Sequence, residues 1–291
     1  MNKYGQGEKQ GGKIVEKTLN LKAIGVGIPA VIDVNSGAVT NAPLYGSLRG
    51  LNLKEKLEDY FNVPIYVENV VKLSALGEKN NGEGKNYKNI VFIEISNGIG
   101  AGIIVDNHLL RGTYGSAGEI GFSIINNKNL GFIIKNKGWL EKNASVESIK
   151  ERAAKKIQKG AKTLILDFIN KDINNLNPSI VCEAAVRNDK VSKDIISEIV
   201  EYLALGIINL ILILNPQIIV LGGDICNLPE VHKLFINPIR VLVNESIPFE
   251  IPEIKLSSLG EDAGVVGASF LAIESLLLGE FPYTIDFEVF S

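Results

Sequence analysis

The order in which strand-like and helix-like patterns follow one another constrains this chain more than any other feature. In the first 122 residues short apolar runs dominate. AIGVGIP reads as a buried strand stopped by Pro29, and VIDVNSGAVT as a hairpin turning through Asn35-Ser36-Gly37. PIYVE is a third strand, and NIVFIEIS and GIGAGIIV form a pair joined by the Ser96-Asn97-Gly98 turn. Only NLKEKLEDYF, capped by Asn52, and the stretch from about Val70 to Lys79 read as helices. From Ser145 onward the character changes. VESIKERAAKKIQKGAKTLILDFI, PSIVCEAAVRN with Pro178 at its start, Val191 to Leu214, a basic stretch from about Pro229 to Asn244, and EDAGVVGASFLAIESLLL all predict helices. The buried strands QIIVLGGD and EIKLSSLG lie among them. A strand-rich first half and a helix-interleaved second half imply an α/β fold of two lobes with a cleft between them. The expected division is a loose segment over 1–21, a first lobe over 22–121 and a helix-rich second lobe over 122–291. The closing helix is free to pack on either lobe.

Length and charge exclude some functions. A chain of 291 residues builds one large or two modest cores. A net charge of −3 supplies no long-range field to recruit nucleic acid or an anionic membrane. The N-terminal MNKYGQGEKQGGK has no apolar core of a signal peptide. Leu203 to Leu214 is apolar but interrupted by Gly206 and Asn209, and reads as a buried helix rather than a membrane span. Cys182 and Cys226 are far apart and read as reduced core thiols, in keeping with a cytoplasmic protein. His108 and His232 read as surface or packing residues.

The stretch PIYVENVVKL is where chemistry is expected. Glu68 and Asn69 stand at the exit of a strand, the edge at which open α/β sheets hold ligands. Val70 and Val71 follow, and neither takes a proton nor binds a metal. The hairpin ISNGIGAGII offers glycines at 98, 100 and 102, which let backbone N–H groups approach phosphate oxygens or merely make a tight turn.

Several ordered motifs together carry a family resemblance. GIGAGIIVDNHLLRGTYGSAGEIGF, residues 98–122, resembles the signature of the ROK family, which spans repressors and sugar kinases of the actin/hexokinase-like ATPase fold. GVGIPAVID, YVEN, WLEKNAS, LNPQIIVLGGD and SLGEDAGVVGAS are similar to further motifs of that family, in order and over most of the chain. The resemblance implies a two-lobed fold of ROK type with a hexose pocket in the cleft. Carried over position by position, the sugar contacts are Asn69, Glu119 and Glu141. Acceptors and amides of this kind suit sugar hydroxyls. The plainer readings are a helix cap for Asn69, a loop acid for Glu119 and a surface helix acid for Glu141. Asn97, Gly98, Gly100, Gly222 and Gly223 fall on the family's nucleotide-side loops and are expected to be vestigial.

The departures from the family shape the expected function. Val70 stands where the kinases carry their catalytic aspartate, and phosphoryl transfer to a hydroxyl needs a positioned base. The family's zinc is held by a histidine and three cysteines. Here Phe122 takes the histidine position, and no Cys or His lies between Gly121 and Asn143. The leading Asp-x-Gly-x-Thr hairpin has no counterpart, since the first aspartate is Asp33. Asn97 replaces the usual threonine of the phosphate hairpin, and Leu44 replaces a pocket asparagine. The expectation is therefore a catalytically inactive ROK-type protein without a DNA-binding domain, related to the family's sugar-responsive regulators. It has no catalytic residue, no metal and no cofactor. Its partners are a small sugar effector and a second copy of itself, and the chain makes no contact with nucleic acid or membrane. The alternatives are an ATP- and magnesium-dependent sugar kinase with an unrecognised base, and an oligomeric remnant that binds nothing.

Overall fold

The computed structural model describes residues 21–33, 36–42, 46–124 and 137–278. The Asn35 turn residue, Leu44 and most of the segment expected to lack zinc ligands lie outside these residues.

In the first lobe, β1 (Ile24–Ile28) pairs in parallel with β4 (Ile65–Asn69), so that Ile28 and Asn69 end side by side. Between them come the short antiparallel strands β2 (Val31–Ile32) and β3 (Val39–Asn41), and helix α1 (Leu53–Phe61). Asn52 caps α1 as expected, its Oδ1 accepting from the Glu55 N–H at 3.1 Å. The strand expected to be buried, β1, is only half-buried. Among the described residues it is paired on one edge alone, which leaves its backbone partly open.

The chain enters α2 (Val70–Asn81) directly from β4. It then builds the hairpin of β5 (Ile90–Ile95) and β6 (Ile99–Val105), extended by the short β7 (His108–Leu109). The second half supplies α3 (Trp139–Ala144), α4 (Val146–Gln158), α5 (Ile165–Phe168), α6 (Pro178–Val186) and α7 (Lys190–Leu214). It continues with β8 (Ile218–Gly222), α8 (Asn237–Ser246), β9 (Glu253–Leu256) and α9 (Ala263–Leu278). Strands β7, β6, β5, β8 and β9 form one five-stranded sheet in that order. Strands on both sides of residue 121 share this sheet, so the expected division at 121/122 cuts through it. The second layer begins instead at β5, because the β5–β6 hairpin is hydrogen-bonded to β8 and through it to β9.

Strand alternation sorts the core. Val91, Ile93 and Ile95 of β5 face a cluster made with α3, α4, α6, α7 and α8. Ile90 and Phe92 face the opposite cluster, made with Leu73, Ala75 and Leu76 of α2 and Leu271 of α9. The closing helix α9 settles the choice left open by the sequence: it packs on α2, β1 and β4, in the first lobe.

Two helix expectations are corrected. The long helix predicted from Val146 breaks after Gln158, where Gly160 takes φ +83°. The basic helix predicted from Pro229 starts as a π-helical turn, His232–Ile236, running into α8. Pro238 lacks the N–H that a regular helix would use there. Helix α7 is long and apolar enough to cross a membrane by length and composition, yet Ile195, Ile199, Leu203, Gly206 and Leu210 are buried in the core.

Candidate functional site

The parallel exits of β1 and β4 face the β5–β6 turn across a cleft of about 230 Å³. Its first-lobe wall is Pro29 to Val31 and Asn69 to Val71. Its second-lobe wall is Glu94, residues Ser96 to Gly100, Glu119, Phe122 and Glu141. The structure thus brings together Asn69, Asn97, Gly98, Gly100, Glu119 and Glu141, which lie far apart in sequence. Gly222 and Gly223 do not line the cleft; they stand behind Glu94.

Asn69 fulfils the plainer reading and also faces the cleft. Its Oδ1 accepts from the Val71 and Lys72 N–H groups at 2.9 and 3.3 Å, capping α2. Its Nδ2 donates to the Ala30 carbonyl at 3.1 Å, which ties the two strand exits together. One amide hydrogen is left for a ligand. Val70 follows at the first position of α2, between Gly27 and Gly264, and offers the cleft only methyl groups.

Glu119 is delivered by the irregular loop GTYGSAG. Gly118 has φ +89° and its Cα lies against the Ala101 carbonyl, so no other residue reaches this turn without strain. The Lys72 ammonium, only 2% exposed, donates to the Gly115 carbonyl and pins the loop to α2. Burial pulls the Lys72 pKa down, against the opposing pull of Glu68 and Glu119. Burial pushes the Glu119 carboxyl up, with Lys72 pulling the other way. Glu68 points away from the cleft. It is 2% exposed, accepts from Arg111 Nε at 2.7 Å and from the Asn69 N–H at 2.7 Å. Sequence reasoning missed this buried cluster, since Lys72 and Arg111 become neighbours only through the fold.

Glu141, on α3, is held against the β5–β6 turn. Its Oε2 accepts from the Ile99 N–H at 3.2 Å, and a Cβ on Gly98 would meet that same oxygen. Gly98 therefore makes room for a carboxylate beside a loop that was expected to be a vestigial nucleotide turn. Glu94 is the second residue missed. It pairs with Gly100 on one side and Gly222 on the other, on the strand face shared by Ile90 and Phe92. Burial pushes its carboxyl up, and the charge of Asp224 adds to the shift. A lone acid in the apolar run IVFIEI was the available signal. Burial likewise raises the Glu141 carboxyl.

The residues do not fit the zinc that the family resemblance implies. Phe122 lines the cleft, and the sequence from Gly121 to Asn143 holds no thiol or imidazole. Among the described residues no group of three or more metal-ligating side chains is present. Cys182 is fully buried, its thiol pushed up to about 12 by burial, which makes it unreactive. His108 and His232 are exposed and do not line the cleft.

The profile of the ROK family matches residues 13–275. The chain is similar to the xylose repressor of Caldicellulosiruptor bescii, with 31% identity over 93% of this chain and 67% of that one. It is also similar to the glucokinase of Halalkalibacterium halodurans, with 31% identity over 87% of this chain and 76% of that one. The ROK glucokinase of Streptomyces griseus, solved in complex with glucose and AMPPNP, superposes with a TM-score of 0.74 at 27% identity, over 88% of this chain and 82% of that one. The chain spans about two thirds of the length of the xylose repressors it matches, between 62% and 67%.

Proposed function

This chain belongs to the ROK family, with its sugar kinase-like two-lobed fold, and from that premise we propose that it is a sugar-binding effector protein without kinase activity, related to regulators of carbohydrate use. The observation that carries the reading is the floor of the cleft. Asn69, Glu119 and Glu141 converge on one cavity, while Val70 occupies the first turn of α2 among them. Carboxylates and an amide are suited to the hydroxyls of an uncharged monosaccharide. Valine cannot accept the proton that a hydroxyl must lose in phosphoryl transfer. No zinc is needed in this scheme.

A kinase reading has one observation in its favour. Glu94 and Glu119 are cleft carboxylates whose pKa values burial raises, a property general bases share. The two readings separate in one experiment. A panel of hexoses and pentoses, xylose and glucose included, is tested by thermal unfolding and by ADP release in the presence of magnesium and ATP. Stabilisation by at least one sugar without turnover is expected. Sugar-dependent ADP release means a kinase; no response to any sugar means that the cleft is not a sugar site. Val70→Asp alone is expected to leave ADP release at background, because it restores a base and nothing on the phosphate side.

A further inference from the structure

We propose that Glu94 bars phosphate groups from the cleft and so restricts it to uncharged ligands. Three placements support this. First, Glu94 sits on β5 between the two glycine turns that the sequence marks as nucleotide-like: its register partners are Gly100 on β6 and Gly222 on β8. A nucleotide phosphate cradled by those turns would meet its carboxylate. Second, the turns are closed around it. A Cβ on Gly223 would lie 2.6 Å from Ser96 Oγ and 2.9 Å from Glu94 Cγ, and the Asp224 N–H donates to Ser96 Oγ at 2.9 Å. That backbone donor, which a phosphate would need, is already used, and it brings the Asp224 carboxylate towards Glu94.

Third, among the described residues no compensating charge lines the cleft. Its lining carries three carboxylates, Glu94, Glu119 and Glu141, and no lysine, arginine or histidine. Lys72, which acts on Glu119, is spent on the Gly115 carbonyl, and Lys137 acts on Glu141; neither is among the charges that act on Glu94. Anions bind where cations and free N–H groups converge, and a half-buried carboxylate repels them more strongly than an exposed one. Neutral hydroxyl groups lose nothing to such a wall, since a carboxylate only accepts. Glu94 thus sets ligand class by charge, separately from the missing base at Val70.

Glu94's role rests on this cleft being the ligand site, yet it is read with a nucleotide alone, so failure of sugar binding leaves it standing. ATP binding is measured by calorimetry on the parent, Glu94→Gln, Glu94→Thr and Glu94→Gln/Asp224→Asn, each once with EDTA and once with excess magnesium. The parent is expected to show no saturable binding at millimolar ATP. Each Glu94 variant should gain at least about tenfold in affinity, and the double variant more. Parent binding equal to that of Glu94→Gln overturns the proposal. So does a double variant that stays blank, since charge was then not the barrier. Magnesium-dependent ATP binding by the parent that Glu94→Gln abolishes also overturns it, because the carboxylate would then be holding the cation. The two replacements differ in size, so a folding defect in one leaves the other readable.

Discussion

Glu68, Asn69 and Val70 follow one another at the exit of β4 and go three ways. Glu68 is buried in an ion pair with Arg111, Asn69 caps α2 and faces the cleft, and Val70 closes the cleft with methyl groups. Stability and binding should therefore separate cleanly. Glu68→Ala removes the carboxylate of a buried ion pair with Arg111 and is expected to cost about 3–5 kcal/mol in urea unfolding. Glu119→Ala should unfold nearly as the parent does, but lose more than about tenfold in sugar affinity by calorimetry. The reverse pattern would move the pocket to the other side of β4. Glu94 gives a pH test. Its folded pKa is raised by burial first and by Asp224 second, so the native state holds its proton more tightly than the unfolded state does. Its ionisation therefore costs stability as pH rises from its ordinary value through the raised one, and that cost is absent below both. Glu94→Gln should melt about 1–3 °C higher than the parent at neutral pH, with the gap closing fully only as pH falls below the ordinary carboxylate value of 4.5. A gap independent of pH would show that the carboxylate is not strained by burial.

Helices α2 and α9 pack between the β1–β4 pair and the five-stranded sheet, and they touch through backbone. Gly77 of α2 lies against the Ala263 carbonyl, and a Cβ on Gly267 of α9 would overlap the Leu73 carbonyl oxygen. Backbone cannot move aside as a side chain can. Gly267→Ala is expected to cost about 3 kcal/mol in urea unfolding, and a neutral result would mean that the helices are further apart. Glu78, fully buried on α2, braces the same joint by accepting from Ser257 Oγ at 2.5 Å and from the Leu259 N–H at 3.1 Å. The helical pattern of both elements was plain in the sequence. Their partnership was not, because α2 and α9 are separated by nearly the whole second lobe.

At the scale of the molecule, α7 presents Leu205, Leu212 and Ile213 outward, 44%, 56% and 78% exposed. An apolar stripe on the longest helix is a surface that a second copy can cover. We expect light scattering to give about twice the chain mass of 31.6 kDa, and Leu212→Glu with Ile213→Glu to return it to that mass. A parent that stays at the single-chain mass at high concentration contradicts the expectation. The lobes themselves divide differently from the sequence boundary. The β5–β6 hairpin belongs with β8 and β9, and α9 returns to the first lobe, so the first lobe is completed by segments from both ends of the described chain.

Local pattern determined most of the elements: the alternation in NIVFIEIS, the Asn52 cap and the Ser96 turn are each written within a few residues, where short-range sterics and hydrogen bonds act. The family motifs singled out Asn69, Glu119 and Glu141, and all three line one cleft, with Val70 and Phe122 beside them. Only the tertiary structure decided which acids face the cleft. Glu68 and Glu94 look equally exposed to chance in the sequence, yet Arg111 captures the first and the strand register turns the second inward. Charge takes its meaning from neighbours and burial, and packing brings those neighbours together from segments dozens of residues apart.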